Sequence, residues 1–131
     1  MPMPRPQWRL VALFLLITLA SVFGAAADTA LDDDLKLAAI RNETDPIRPL
    51  LTQGADPNIE IENGVTPLIM VATFGNAVAA DLLVRAGARV DEDGNQGCTA
   101  LTWAARNGWP QMVGLLIDWG ADINHQDKGG G

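Results

Sequence analysis

Cysteine, histidine and tyrosine are nearly absent from this chain of 131 residues, which has one cysteine, one histidine and no tyrosine. The single cysteine, Cys98, excludes an internal disulfide framework, so packing must hold the fold together. We expect Cys98 to be a small, partly buried apolar side chain, with an intermolecular disulfide as the alternative. The single histidine, His125, is the only residue around which a Ser-His-Asp or Cys-His grouping could form. It lies in a terminal loop far from Cys98 in sequence, and we predict no catalytic residues.

Positive charge is also scarce, since 9 Lys and Arg residues stand against 16 Asp and Glu residues. This balance argues against a nucleic-acid partner, because phosphate binding needs clustered cations. The acidic runs 32–34 and 91–93 are interpreted as solvated ends and loops. The second run lacks the full ligand spacing of a calcium loop, and Asp122, His125 and Asp127 are too few to indicate a metal site. We therefore predict no metal and no cofactor.

The long apolar run is confined to the first residues. Arg5 and Arg9 precede the stretch 10–23, which is almost wholly apolar, and the small residues 24–27 follow it. This order is typical of a secretory signal peptide, so we expect residues 1–27 to be removed and the protein to be periplasmic or secreted. Cleavage after Ala27 fits best and cleavage after Ala26 is close behind it. The alternative is an uncleaved membrane anchor, because the 18 residues 10–27 reach the lower limit for a span.

An internal repeat with a period of 33 residues organises the rest of the chain. Gly54-Ala55 recurs as Gly87-Ala88 and as Gly120-Ala121, without a gap. The same step relates further pairs, namely Thr66 to Thr99, Leu68 to Leu101, Ala72 to Ala105, Gly75 to Gly108 and Leu82-Leu83 to Leu115-Leu116. A weaker copy precedes them, and its polar residues are those expected of a terminal cap on a solenoid. The predicted parts are 1–27 (signal peptide), 28–54 (degenerate N-terminal capping unit), 55–120 (two repeats) and 121–131 (C-terminal loop, the start of an incomplete further repeat).

Each unit predicts two short helices and a turn. Thr66-Pro67 begins a helix, since Thr caps free amides and Pro fits the first turn. Gly75 ends that helix, because glycine accepts the left-handed conformation. A second helix follows over 77–86, and the next unit repeats the scheme over 100–107 and 110–119. The polar stretches 55–65 and 88–98 between the pairs suit projecting turns or short hairpins.

These motifs resemble the ankyrin repeat, and the resemblance covers essentially the whole chain after residue 27. It is carried by Gly64-Val65-Thr66-Pro67-Leu68, Gly75-Asn76, Leu82-Leu83 and Gly87-Ala88, and by their copies up to Gly120-Ala121-Asp122-Ile123-Asn124. It implies an all-α solenoid of about three stacked helix–turn–helix units with projecting hairpin loops and a concave protein-binding face. A bacterial source is a further expectation from the look of small exported ankyrin proteins. The chain departs from the family where a further Thr-Pro-Leu helix would follow Gly131, so Leu101, Met112, Leu115 and Leu116 lack an obvious cap.

The family's binding residues lie at hairpin tips and on the exposed side of the first helix. Carried over position by position, the candidates are Glu62, Asn63, Val65, Thr73, Phe74, Asn95, Gln96, Arg106, Asn107 and Trp119. Phe74 and Trp119 stand out, because the repeat does not require an aromatic there and exposed aromatics often dominate binding energy. Local packing against the next loop is the alternative for both. The helix phase of Trp103 places it in the core.

We therefore predict a non-catalytic module that binds another protein. An inhibitor or immunity protein that blocks an effector or enzyme is one alternative. A structural subunit that self-associates through the uncapped C-terminal end is another, and an enzyme is the weakest hypothesis. The partner's identity does not follow from these residues, because fold alone does not give function.

Overall fold

The computed structural model describes residues 30–94 and 97–124. The predicted signal peptide and its membrane-anchor alternative lie outside these residues, as do Asn95, Gln96 and His125. The described residues form six helices and no strand. They are α1 (30–40), α2 (Ile47–Thr52), α3 (Pro67–Thr73), α4 (Ala77–Arg85), α5 (Ala100–Arg106) and α6 (Pro110–Asp118). The all-α prediction of stacked helix pairs is confirmed.

The first helix of each repeat begins and ends where the sequence predicts. The Thr66 and Thr99 side chains accept hydrogen bonds from the amides of Ile69 and Thr102, and this capping stabilises a helix by about 1 kcal/mol. Past the other end, Gly75 and Gly108 have φ angles of 71° and 75°, which a side chain would strain.

Asn42 occupies the corresponding position of the first, degenerate unit, with a φ of 56°. Asparagine tolerates the left-handed region better than most residues, so the turn survives without glycine. The three-residue turns that follow α3 and α5 fold the second helix of each pair back against the first.

The predicted hairpins contain little pairing among the described residues. A single bridge joins Glu62 and Val65, and the amide of Ile61 donates to the carbonyl of Val65 at 2.7 Å. The stretch 55–65 is therefore a tight turn rather than a two-stranded ribbon, because so short a hairpin is marginal by itself.

The core lies between successive helix pairs. Leu68 and Ala72 project from α3 and are 1% and 0% exposed, because the next pair covers them. Their copies one repeat later, Leu101 and Ala105, are half-buried and exposed respectively, since no described pair follows α6. A pair of short helices cannot bury its own apolar face, so each pair depends on its neighbour.

Three hydrogen bonds recur at the junctions between units. Backbone amides at 33-residue steps donate to a side-chain oxygen of the preceding unit: Asp56 to Asp32 Oδ1 (2.8 Å), Arg89 to Asn58 Oδ1 (2.7 Å) and Asp122 to Asp91 Oδ1 (2.8 Å). We call these the junction bonds. Asn58 also donates from Nδ2 to the carbonyl of Gly87 at 3.0 Å, so this side chain binds the next unit twice.

Two residues of the acidic runs, Asp32 and Asp91, also accept hydrogen bonds from the following unit, although Asp91 is exposed in its loop as expected. Asn58 and Asp91 hold equivalent positions in consecutive loops, and each reaches the amide 31 residues further along. In the first unit the acceptor comes instead from α1, whose Asp32 is half-buried while Asp33 and Asp34 are exposed. Asp32 thus closes the first junction from a helix rather than from a loop.

Replacing Asp32 by alanine tests the first junction bond. We expect Asp32→Ala to lower the free energy of unfolding by about 1–3 kcal/mol, because a hydrogen bond to a charged acceptor is lost. Asp33→Ala is the matched control. Asp33 shares the same helix turn and makes only an exposed ion pair with Lys36 at 3.9 Å, so its loss should cost less than about 1 kcal/mol. Urea unfolding followed by circular dichroism measures both, and equal losses would contradict the role of Asp32.

Candidate protein-binding surface

Three exposed side chains and the half-buried Thr73 lie where α3 and α5 end. Thr73 and Phe74 close α3, while Asn107 and Trp109 follow α5. Asn107 Nδ2 and Trp109 Nε1 both donate to the carbonyl oxygen of Thr73, at 3.0 and 2.9 Å. We call Thr73, Phe74, Asn107 and Trp109 the turn patch. Its two aromatic side chains remain 40% and 41% exposed although the backbone that carries them is fixed.

The Trp109 indole is held by packing as well as by its hydrogen bond. A Cβ atom built on Gly75 would overlap the indole ring, so the ring lies directly on the glycine backbone. Gly75 thus has two reasons to be glycine, its left-handed φ of 71° and the ring above it. An aromatic ring fixed in this way can bind a partner with little loss of conformational entropy.

The sequence did not single out Trp109, although the repeat contained a signal. Trp109 follows Asn76 by one period, and Asn76 caps α4 by accepting from the amide of Ala79 at 3.1 Å. Tryptophan cannot cap in that way, and α6 begins instead with Pro110, which needs no amide partner. The capping function is therefore lost at this position, whereas a hydrogen bond to the preceding unit is kept, since Asn76 donates to Asn42 and Thr44 and Trp109 to Thr73.

The hairpin candidates form a second group that is separate from the turn patch. Glu62 and Asn63 are exposed and Val65 is half-buried, and all three precede α3. The seven residues of α3 separate them from Phe74, which corresponds to about 10 Å of helix rise. Asn63 has a φ of 53°, which asparagine tolerates, so the loop explains its identity without a partner. Asn95 and Gln96, the matching candidates of the next hairpin, lie outside the described residues.

Arg106 and Trp119 are not brought into the turn patch. The Arg106 guanidinium runs back along α5, 5.7 Å from the Trp103 ring centroid and 3.7 Å from Cys98 Sγ. Trp119 follows the last residue of α6, the second helix of its pair, and packs half-buried against the core. The local-packing alternative for Trp119 therefore fits its position better than membership of a face shared with Phe74.

Two expected core residues are placed as follows. Cys98 is buried, as a small apolar side chain would be. Trp103 is half-buried and packs against the core, but its Nε1 is buried without a hydrogen-bond partner among the described residues.

No grouping for other chemistry was found in the described part of the chain. Within residues 30–94 and 97–124, no cluster of three or more His, Cys, Asp or Glu side chains could hold a metal ion. Over the same residues, no helix combines the length and the apolar character that a membrane span requires.

Comparison with known proteins identifies the family. The model for ankyrin repeats (3 copies) matches residues 35–127, and the chain therefore belongs to the ankyrin-repeat family. Ankyrin repeats are protein-interaction modules. The three copies in the family model agree with the three helix pairs that the junction bonds connect.

Similar segments occur in much larger proteins. The chain is 31% identical over 102 residues to the ankyrin repeat domain-containing protein SAT10 of Stachybotrys chartarum, covering 78% of this chain and 5% of that protein. It is 35% identical over 115 residues to the zinc finger CCCH domain-containing protein 50 of Oryza sativa, covering 73% of this chain and 17% of that protein. A shorter match, 44% identical over 62 residues, is to the ankyrin repeat and SOCS box protein 6 of Pongo abelii, covering 47% of this chain and 15% of that protein. The chain thus spans only a small part of each of these relatives.

Replacing Gly75 by alanine tests the packing of Trp109. Gly75→Ala and Gly108→Ala both strain a left-handed φ, but only the first places a methyl group against the indole ring, since a Cβ at Gly108 would meet no atom within 4 Å. We expect Gly75→Ala to be more destabilising by about 1–3 kcal/mol, the usual cost of overpacking. Chemical unfolding of the two variants gives the difference. Equal stabilities would place the ring elsewhere, and removing the ring as well, in Gly75→Ala with Trp109→Ala, should reduce the difference.

Proposed function

We propose that this chain is a non-catalytic module that binds another protein through the turn patch. The observation that carries the proposal is the pair of exposed aromatic side chains, Phe74 and Trp109. The Trp109 ring is held in place by the Thr73 carbonyl and the Gly75 backbone. Membership of a family of interaction modules supports the same conclusion.

The aromatic residues of the turn patch are of the types that often contribute most to binding affinity. Aromatic side chains supply large contact areas with few rotatable bonds, and hot spots of interfaces are enriched in them. Asn107 lies in the same patch and is exposed, so its carbonyl oxygen adds an acceptor beside the rings while its Nδ2 donates to Thr73. Because none of these four side chains is needed to fill the core, the patch can serve recognition.

The acidic charge of the chain narrows the partner's chemistry. The formal net charge is −7, so a partner with a basic surface would be attracted and an acidic one repelled. The turn patch itself contains no charged side chain. We infer that charge guides the encounter while the aromatic rings provide the affinity.

Export is a second part of the proposal. It is supported by the order of Arg5 and Arg9, the apolar stretch 10–23 and the small residues 24–27. An exported module would meet its partner in the periplasm or outside the cell. A single buried cysteine suits an oxidising compartment, since no set of free thiols has to be kept reduced.

Substitution of the two aromatics tests the binding proposal. A partner is first captured on the immobilised chain and identified, and its purified form is then titrated by calorimetry. We expect Phe74→Ala and Trp109→Ala each to weaken binding at least about tenfold, because each removes a large contact.

The control is Val78→Ala on α4, whose side chain is 61% exposed and lies outside the turn patch. It removes apolar surface of a similar kind and should leave the affinity unchanged. Trp109→Phe keeps a ring but loses the hydrogen bond to Thr73, which separates contact from positioning. Unaltered binding by a folded variant lacking both aromatics would locate the contact elsewhere, and the hairpin residues Glu62 and Val65 would then be tested.

The export proposal predicts a processed chain. When the full sequence is expressed in a Gram-negative host, we expect the product in the periplasmic fraction with Asp28 as its first residue. N-terminal sequencing of that fraction measures this directly, and a chain starting at Ala27 would indicate the neighbouring cleavage site. Replacing Leu15 and Leu16 by lysine should abolish processing, because it interrupts the apolar stretch. An intact chain that stays in the cytoplasm would contradict the proposal.

A further inference from the structure

The last helix pair that the structure describes carries an apolar groove. The groove lies between α5 and α6, has a volume of about 450 Å³ and is lined on its apolar side by Leu101, Ala105, Val113, Ile117 and Ile123. Ile117 and Ile123 are 44% and 66% exposed. We call this surface the end groove.

Register shows that the end groove is a stacking surface. Residues one period earlier in the previous pair, Leu68, Ala72 and Ala80, are fully or almost fully buried. They are covered because the pair α5–α6 packs against them. The end groove presents the same residue types in the same phase with no described pair above it, so it is built to be covered by protein.

None of the four residues expected to lack a cap is exposed. Met112 and Leu116 are 1% and 0% exposed, because they face the interior of the stack, and Leu101 and Leu115 are half-buried. The exposed positions are Ile117 and Ile123 instead. A substitution at Leu116 would therefore test the core and not the end groove.

The opposite end of the stack does not complement the end groove. A shallow depression on the first pair is lined by apolar residues, including the exposed Leu37, and by polar ones. Three of the polar residues, Asp34, Arg41 and Gln53, precede the apolar Pro67, Phe74 and Ala86 by one period. The Asp56 amide, which an upstream loop would otherwise bind, already donates to Asp32. Head-to-tail stacking of copies would therefore set the end groove against a surface that carries Asp34 and Arg41 beside its apolar residues.

The charges around the end groove are self-complementary. Arg106 lines it from α5 and Asp122 from the segment after α6. The two helices are antiparallel, so the end of α6 lies beside the start of α5. The Arg106 guanidinium turns back towards the start of α5. A two-fold axis along the groove would place Arg106 of each copy opposite Asp122 of the other. The net charge of −7 on the chain opposes the association of two copies, but the end groove itself is lined by one charge of each sign.

We propose that the end groove is a homodimer interface, in which a second copy of this chain packs its own end groove against the first about a two-fold axis. Such an interface closes, so association stops at two copies. Both turn patches remain uncovered, because neither lines the groove. The dimer would then present two partner sites, which raises the avidity for a repeated or dimeric partner.

Single substitutions test the interface in the full chain by sedimentation equilibrium. We expect a mass that reaches twice the monomer value and then stays constant, and Ile117→Asp should raise the dissociation constant at least roughly tenfold, because it buries a charge in the interface. Val78→Asp is the matched control, since Val78 is also an exposed apolar residue but lies on α4. The two variants share residues 1–27, so association through that segment would affect them equally. A monomeric wild type, a mass that keeps rising with concentration, or association that survives Ile117→Asp would each overturn the proposal.

Charge reversal tests the two-fold arrangement. Arg106→Glu or Asp122→Lys alone places like charges opposite each other in both pairs, so each variant should associate at least roughly tenfold more weakly than the wild type. An equimolar mixture of the two should recover a dimer containing one copy of each, because both pairs then have opposite signs. Far-ultraviolet circular dichroism checks that both variants are folded. If the folded variants stay monomeric when mixed, or associate fully when alone, the two-fold pairing is wrong.

Discussion

The contact between one helix pair and the next is the interaction on which this molecule depends. Each helix is six to eleven residues long and too short to be stable in isolation. Leu68 and Ala72 become buried only because α5 and α6 lie over them. The junction bonds add a directional component, since each fixes a backbone amide of one unit against a side chain of the preceding unit. Apolar packing supplies most of the stability, and these bonds set the register.

The turn patch and the end groove lie where the contact between successive helix pairs differs from one unit to the next. Asn76 of one unit both caps a helix and bonds to the preceding turn, whereas Trp109 of the next keeps only a bond to the preceding turn and stays exposed. At the first unit Asp32 replaces the loop acceptor and closes the stack. Among the described residues no further helix pair lies over α5 and α6, and an apolar groove remains there. The proposed partner site thus lies where one unit differs in sequence from the unit before it, and the proposed dimer interface lies where no further pair is described.

Much of the fold could be predicted because the deciding signals are local. Thr66 and Thr99 cap, Gly75 and Gly108 turn, and the 33-residue step leaves no freedom in the order of elements. The candidate site was harder to predict, because its contacts join residues that are far apart in the sequence. The hydrogen bond from Trp109 to Thr73 spans 36 residues, and the junction bond from Asp56 to Asp32 likewise spans 24. Arg106 illustrates the limit. The family resemblance placed it on the binding face, but it did not predict that the side chain would lie along Trp103.

Hydrogen exchange at the junction amides tests the central claim most directly. The amides of Asp56, Arg89 and Asp122 belong to exposed residues, so without the junction bonds they would exchange as fast as their loop neighbours. The coupling of units through these bonds predicts that all three exchange far more slowly than loop amides that donate no hydrogen bond. It also predicts that Asn58→Ala selectively accelerates exchange at Arg89. Fast exchange at all three amides in the folded protein would contradict the account.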